Sequence, residues 1–275
     1  MRIAITGGSG RVGRAVIARA LADGHDVTSI DRVAPDRAQM TAAVDHRQVD
    51  TADYDDFEAA VRGADGLIHL AAYPGPGGRP DHVVHNNNVV GSYNALSIAA
   101  KLGIKRICQA SSINATGAVY SRRPRYDYFP LDERHPTYNE DPYSLSKWIC
   151  EEQGDSFARL HSDLSIASMR FHWVVAGREV ATERAAGGEA AIKHVWGYTR
   201  ADEAARACLL SLTVPFSGHE AFYIVAPRTM SQRPTMDLLR EHYPSVEVRE
   251  PLEADAGLYD CTKAARLLGW VHAVD

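Results

Sequence analysis

The sequence is poor in the features that mark secreted, membrane-spanning or nucleic-acid-binding chains. Its 275 residues hold four cysteines, Cys108, Cys150, Cys208 and Cys261, and no two of them form a Cys-x-x-Cys. This scatter excludes a dense disulfide framework and points to a reducing, cytoplasmic setting. No apolar run approaches the roughly 20 residues of a transmembrane helix, so no membrane partner is expected. Arg2-Ile3-Ala4-Ile5 already reads as a strand, which leaves no room for a leader. Acidic residues outnumber basic ones, 35 to 30, for a formal charge of −5, and nothing in that balance invites nucleic acid or an anionic membrane. Internal repeats and low-complexity tracts are absent. What remains, 45% hydrophobic and 24% charged, suits a globular chain with a sizeable core.

Short apolar runs alternate with amphipathic stretches through the first half. Arg2–Thr6 reads as a buried strand and Arg11–Ala22 as a helix, with Val12, Val16, Ile17, Ala20 and Leu21 on one face. Asp23-Gly24 ends that helix, because glycine accepts the left-handed turn. Further strands are expected at Val27–Ile30, Gln48-Val49, Gly66–Ala71 and Ile104–Ala110, with helices at Tyr54–Arg62 and Asp81–Leu102 between them. The pattern predicts an α/β fold, a doubly wound parallel sheet with helices on both faces. The polar segment 121–142 reads as a long loop. Beyond it come a helix at Tyr143–Leu160, a strand at Ser165–Phe171, a stretch without clear period at 178–193, a helix at Arg200–Leu212, a strand at Ala221–Ala226, and short helices at Asp237–His242 and Thr262–Leu268. The expected division is a nucleotide-binding domain over 1–170, to which 198–227 returns, and a small C-terminal substrate lobe over 171–197 and 228–275.

Thr6-Gly7-Gly8-Ser9-Gly10-Arg11-Val12-Gly13 joins the first strand to the first helix. Glycines there make the tight turn, let a pyrophosphate approach the backbone and let helix pack on strand. The helix N-terminus then offers free N–H groups and partial positive charge to the phosphates. Asp31 closes the second strand, where a carboxylate takes the adenosine ribose hydroxyls and repels a 2′-phosphate. NAD is the expected cofactor, with NADP left open by the neighbouring Arg32, whose guanidinium suits a phosphate.

Asp141-Pro142-Tyr143-Ser144-Leu145-Ser146-Lys147 reads as a helix start, Asp141 being the N-cap and Pro142 the first helical residue. Tyr143 and Lys147 then share one face. Hydride transfer at a carbinol carbon requires a proton moved at its oxygen, and tyrosine does this only if its pKa falls from about 10. An ammonium about 4 Å away supplies roughly 4 kcal/mol toward that end at an effective dielectric of 20. Ser111-Ser112, at the end of the fifth strand, offers a hydroxyl to the reacting oxygen.

Taken together these residues resemble the extended short-chain dehydrogenase/reductases, the NAD-dependent epimerase/dehydratase family. The likeness extends through His69-Leu70-Ala71-Ala72, Asn88-Val89-Val90-Gly91-Ser92, Lys105-Arg106-Ile107 and Met169-Arg170-Phe171 to Asp260-x-x-Lys263-x-x-x-Leu267-Leu268-Gly269-Trp270. It implies a Rossmann-type fold with catalytic Ser112, Tyr143 and Lys147. It places the dinucleotide along Gly7, Ser9, Gly10, Arg11, Val12 and Gly13, with Asp31, Arg32, Asp50 and Thr51 at the adenosine end. Leu70, Ala71, Ala72 and Asn88 would line it, and Ser111, Tyr143, Lys147 and His172 would stand at the nicotinamide end. The substrate would meet Tyr73, Ser112, Ile113, Asn114, Tyr143 and Trp173. The resemblance also implies a homodimer through the helices at 81–102 and 143–160. The chain is compact, like the uronate dehydrogenases, yet Phe171-His172-Trp173-Val174-Val175 lacks their sugar-acid turn.

The expected function is therefore NAD-dependent hydride transfer to or from a sugar-like small molecule, with a nucleotide-sugar epimerase or dehydratase as the alternative. A non-catalytic dinucleotide sensor ranks below both, because Tyr143 and Lys147 are intact. Arg122, Arg123 and Arg125 offer cations to a substrate carboxylate or to solvent, and Tyr126, Tyr128 and Phe129 are expected to pack the long loop onto the sheet. Trp173, Arg178, Arg184, His194 and Trp196 fall in the segment expected to cover the substrate. His82 and His85 read as surface histidines, with no metal expected, and Asp202 as a cap or ion-pair partner.

Overall fold

The computed structural model describes residues 1–36, 42–184 and 188–273. A seven-stranded, wholly parallel sheet organises the chain. It comprises β1 (Arg2–Thr6), β2 (Asp26–Asp31), β3 (Val44–Gln48), β4 (Gly66–His69), β5 (Arg106–Ser112), β7 (Ser165–Phe171) and β10 (Gly218–Ile224), in the order β10-β7-β5-β4-β1-β2-β3. The remaining strands form two small parallel pairs, β6 (Tyr128–Phe129) with β11 (Glu247–Val248), and β8 (Val174–Val175) with β9 (Thr199–Arg200). Helices α1 (Arg11–Ala22), α2 (Tyr54–Val61), α3 (Asp81–Leu102), α4 (Pro142–Leu160) and α7 (Ala201–Thr213) cover the main sheet. The shorter α5 (Arg178–Arg184), α6 (Glu189–Lys193), α8 (Thr235–His242) and α9 (Thr262–Leu268) complete the order.

Side-chain alternation builds a core on each face of the sheet, since successive strand residues point to opposite sides. Ile3, Ile5, Ile68 and Cys108 pack with Val16 of α1, Leu209 of α7 and Trp270. Ala4, Leu67, Ile107 and Ile166 pack with Phe57 of α2 and Leu96 of α3 on the other. Burial on both faces explains why these strands read as nearly continuous apolar runs. A third core, rich in aromatic rings, joins Tyr126 and Phe129 of the long loop to Trp196, Tyr198, Tyr223 and Tyr259. The loop is thus packed down as its sequence suggested, and Tyr126 meets Tyr243 edge-on.

Several expected bounds shift. The third strand is Val44–Gln48 rather than Gln48-Val49, an edge strand whose polar residues carry no apolar signature. The fifth strand runs on to Ser112, which brings both serines into the strand. The stretch at 178–193 contains α5 and α6; residues 185–187 and the side chain of Arg184 lie outside what is described. The strand order reverses between β1 and β4, so the carboxyl ends of these two parallel strands flank an open crevice, the place where parallel sheets of this kind bind ligands.

Candidate active site

The turn from β1 to α1 is shaped by two glycines above all. Gly7 has φ +69°, and a side-chain carbon there would stand 2.8 Å from the Leu70 and Ala71 backbone; at Gly13 it would stand 2.2 Å from the Gly7 carbonyl. The N-cap of α1 is Gly10, with no side-chain cap and no acidic residue in the first turn. The helix therefore presents N–H groups without a competing side-chain acceptor, which is the arrangement a phosphate needs. Asp31, at the end of β2, accepts from the Ser9 and Val33 amides and holds the turn against the strand.

Two cavities meet at Gly7, Gly10, Leu70 and Ala72. The smaller, about 160 Å³, is lined by Asp31, Arg32, Asp50, Thr51, Ala71 and Asn87. The larger, about 470 Å³, runs past Arg11, Val12 and Gly13 to Ser111, Ser112, Tyr143 and Lys147, and on to Ile113, Asn114, His172 and Trp173. The trough has the form of an extended dinucleotide: a glycine cradle in the middle, a carboxylate at one end and a Tyr–Lys pair at the other. These residues fit NAD.

At the far end, α4 begins as the sequence implied. Asp141 accepts from the Tyr143 and Ser144 amides, and Pro142 is the first helical residue. Tyr143 and Lys147 are both buried. Lys147 Nζ donates to the Ala110 carbonyl at 2.7 Å and stands 5.9 Å from the Tyr143 ring centre. The Tyr143 phenol is raised above the ordinary tyrosine range by burial, against which its hydrogen bond to Ser112 pulls downward. Burial is the larger influence on the phenol here, and the Lys147 ammonium donates to the Ala110 carbonyl. Burial in turn lowers the Lys147 pKa.

The serines divide by strand alternation. Ser112 Oγ accepts from the Asn114 amide and side chain and faces Tyr143. Ser111 Oγ donates to Glu151, which is bound to Arg170 at 2.8 Å; its hydroxyl is committed to a buried ion pair rather than to a cofactor. Asn114 also accepts from the Val119 amide, so it braces the turn after β5 while lining the cavity.

Other sequence-predicted residues fall in different places. Tyr73 does not line the larger cavity; Pro74 does. The Tyr73 phenol accepts from Arg32 at 2.9 Å and its ring lies 4.2 Å beneath Arg79, at the adenosine end. Arg32 also pairs with Asp50 at 3.7 Å. Asn88 lines neither cavity. It bonds both backbone groups of Tyr73 and donates to Ser146, tying the crevice wall to α4. Arg11 donates to the Val174 carbonyl, a bridge across the crevice mouth. His172 accepts from the Trp173 amide and donates to the His194 carbonyl; burial pushes it down to about 3, so it is a neutral brace.

Arg122, Arg123 and Arg125 lie off the cavity. Arg122 is exposed beside Glu140, and Arg125 stacks 4.0 Å over Tyr138. Arg178 binds Asp255, the Trp196 ring meets that of His242 at a tilt, and Arg200 pairs with Asp202. Sequence reasoning missed Tyr120, which lines the cavity and meets Tyr143 edge-on at 5.7 Å. It follows an irregular turn, and no periodicity marks it.

The profile of the NAD dependent epimerase/dehydratase family matches residues 3–221. This chain belongs to that family. The family resemblance read from the glycine turn and the Tyr–Lys pair thus holds over most of the sequence. This epimerase/dehydratase-family chain is 31% identical over 185 residues to the L-arabinose 1-dehydrogenase (NAD(P)(+)) of Haloferax volcanii, a match spanning 65% of the chain and 69% of that enzyme. Matches to further curated relatives span 57–66% of their lengths. Among solved structures, a UDP-glucose 4-epimerase of Thermotoga maritima superposes with a TM-score of 0.75 at 23% identity, covering 100% of this chain and 94% of the epimerase. A mutated uronate dehydrogenase does so at 0.70, also at 23% identity, over 100% and 82%. The fold is therefore the Rossmann-type fold of this family.

Proposed function

We propose that the protein is an NAD-dependent dehydrogenase that moves a hydride between the nicotinamide and a hydroxyl-bearing carbon of a sugar. The observation that carries this reading is the convergence of Ser112, Tyr143 and Lys147 at one end of a trough whose other end is the Asp31 carboxylate. When bound, oxidised NAD accepts the hydride and brings positive charge into the crevice. The Tyr143 phenolate would take the proton from the substrate hydroxyl and become the neutral phenol, with Ser112 donating a hydrogen bond to the same oxygen. Lys147 would support the phenolate and hold the nicotinamide ribose. The glycine turn and α1 would hold the pyrophosphate, and Asp31 the adenosine ribose. From the expected small lobe, Phe171, His172, Trp173, Val174 and His194 line the larger cavity. The likeness to an arabinose dehydrogenase supports sugar oxidation over the alternative. Against a dehydratase, no Asp or Glu lines the larger cavity among the described residues. We further infer a cytoplasmic homodimer: all four cysteines are free thiols, and α3 and α4 pack side by side with Val90 and Tyr93 exposed. Among the described residues no helix is long and apolar enough to cross a membrane.

The test is growth of reduced-nicotinamide absorbance when purified protein meets NAD and a panel of aldoses; silence across the panel overturns the reading. For oxidation the phenolate is the working form, so kcat rises with pH through the tyrosine titration. A positive charge lowers that titration, and Lys147→Met should therefore move the limb to higher pH; a limb that stays in place removes Lys147 from the mechanism. Asp31→Asn removes the charge and keeps one of the two acceptors that now serve the Ser9 and Val33 amides. The ratio of kcat/KM with NADP to that with NAD should rise roughly tenfold or more, and steady-state kinetics with both cofactors measures it.

A further inference from the structure

Among the described residues the larger cavity is lined by one tyrosine besides Tyr143. This is Tyr120, which lines it together with Pro74, and the proton transfer does not use it. Two contacts fix its place. Its ring meets the Tyr143 ring edge-on, with centres 5.7 Å apart and planes at 87°. Its far end lies against the loop after β4: a side-chain carbon at Gly75 would stand 2.7 Å from the Tyr120 hydroxyl and 3.3 Å from the ring carbon that carries it. Tyr120 therefore reaches from the turn after β5, past the Tyr143 ring, to the loop after β4. Even so the residue remains 40% exposed, and no hydrogen bond to a described residue ties up its hydroxyl. A large ring, fixed at both ends on the edge of a cavity and still half open, gains by being covered by an apolar surface that enters there. Gly75 does not hold a left-handed φ, so its backbone accepts alanine, and the atoms such a methyl would meet first all belong to the Tyr120 side chain. The ring stands where it does because position 75 carries no side chain.

Building on the dehydrogenase reading, we propose that Tyr120 is a substrate-binding residue of this site, covering a C–H face of the sugar with its ring beside Tyr143, and that Gly75 is the residue that seats it. Tyr120 binds and orients here and moves no proton.

The experiment titrates NADH-loaded wild type and variants with D-glucose, D-galactose and L-arabinose, read by nicotinamide fluorescence, and takes KM and kcat from turnover with NAD. Tyr120→Ala should weaken the best-bound sugar roughly 5- to 10-fold, in KM rather than kcat, with the affinity for NADH unchanged. Tyr120→Phe, which restores the ring, should recover most of that loss. Gly75→Ala should weaken the same sugar by pushing the ring aside. Adding Tyr120→Phe to it removes the 2.7 Å contact and leaves the one at 3.3 Å, so the double variant should bind the sugar better than Gly75→Ala alone. A merely structural part for Tyr120 gives no such recovery, since a second lost group would add to the first. Tyr120→Ala with unchanged sugar affinity overturns the proposal, as does an equal fall in its NADH affinity. So does a double variant no better than Gly75→Ala, or a wild type that binds none of the three sugars. Failure of the dehydrogenase reading looks different: a sugar would bind in a Tyr120-dependent way, yet no NADH would form from NAD.

Discussion

Replacing Tyr143 by phenylalanine is expected to lower kcat for sugar oxidation by about 10²–10⁴-fold, the contribution of a positioned general acid/base, while the affinity for NADH stays unchanged. The variant suits the question because the ring is buried and phenylalanine occupies the same space. Its only loss is the hydroxyl and the hydrogen bond to Ser112, and Ser112 keeps its two bonds from Asn114. The edge-on contact with Tyr120 is likewise kept. Global stability should move little, so lost turnover cannot be ascribed to unfolding. In the free chain the phenol sits above its ordinary range because burial outweighs its polar contacts. The neutral phenol is thus the resting form, and reaching the reactive form depends on charge arriving beside it. Rapid-mixing kinetics with NAD and a neutral aldose, paired with NADH titration, reads both quantities. Unchanged turnover would remove Tyr143 as the base; lost NADH affinity would make it a structural member of the cofactor site instead.

The site was legible in the sequence where chemistry demands a residue type at a fixed place. A glycine at position 13 cannot be anything larger without striking the Gly7 carbonyl. Tyr143 and Lys147 are one helical turn apart because both must face one crevice. The two-faced sheet was legible for a similar reason, since β1, β4 and β7 bury residues on both sides and are rich in apolar residues. Elsewhere the signal was weak for physical reasons. The edge strand Val44–Gln48 is paired only on its β2 side, so its outer residues are polar and resemble a loop. Tyr73 and Asn88 belong to recognisable motifs, but a motif fixes a residue near the crevice without fixing which way its side chain turns. Asn88 spends its amide on the backbone of Tyr73, and Tyr73 spends its phenol on Arg32. Tyr120 lies in a turn that only tertiary packing brings over Tyr143. The electrostatic reading of the Tyr–Lys pair also needed coordinates: spacing shows that two groups share a face, not that a carbonyl stands nearer to the ammonium than the phenol does.

Glu151→Ala should unfold the protein more readily than any surface change, by about 3–5 kcal/mol, the cost of stranding a buried charge. Glu151 and Arg170 have side chains only 6% and 8% exposed. They meet through two hydrogen bonds, from Arg170 Nε at 2.9 Å and from its terminal nitrogen at 2.8 Å, and Ser111 adds a third donor to the carboxylate. With the carboxylate removed, the guanidinium is left beside Tyr223, 5.2 Å from its ring centre, with little of its side chain exposed. The pair joins α4 to β7, and α4 carries Tyr143 and Lys147, so the loss should also loosen the catalytic helix. Glu151→Gln, which keeps the shape and one of the two acceptor oxygens but not the charge, should cost less. Burial alone would raise the Glu151 pKa, yet the charge and hydrogen bonds of Arg170, with the Ser111 bond, bring it below its ordinary value. A carboxylate held low in the folded state contributes stability above the unfolded pKa of about 4.3 and loses it as pH falls through the lower folded value. Urea midpoints for wild type and Glu151→Ala should therefore be far apart at pH 7 and converge in acid. A gap at pH 7 under about 1 kcal/mol would mean that the buried pair can be relieved by solvent, and that the two bonds seen here do not hold α4 to the sheet.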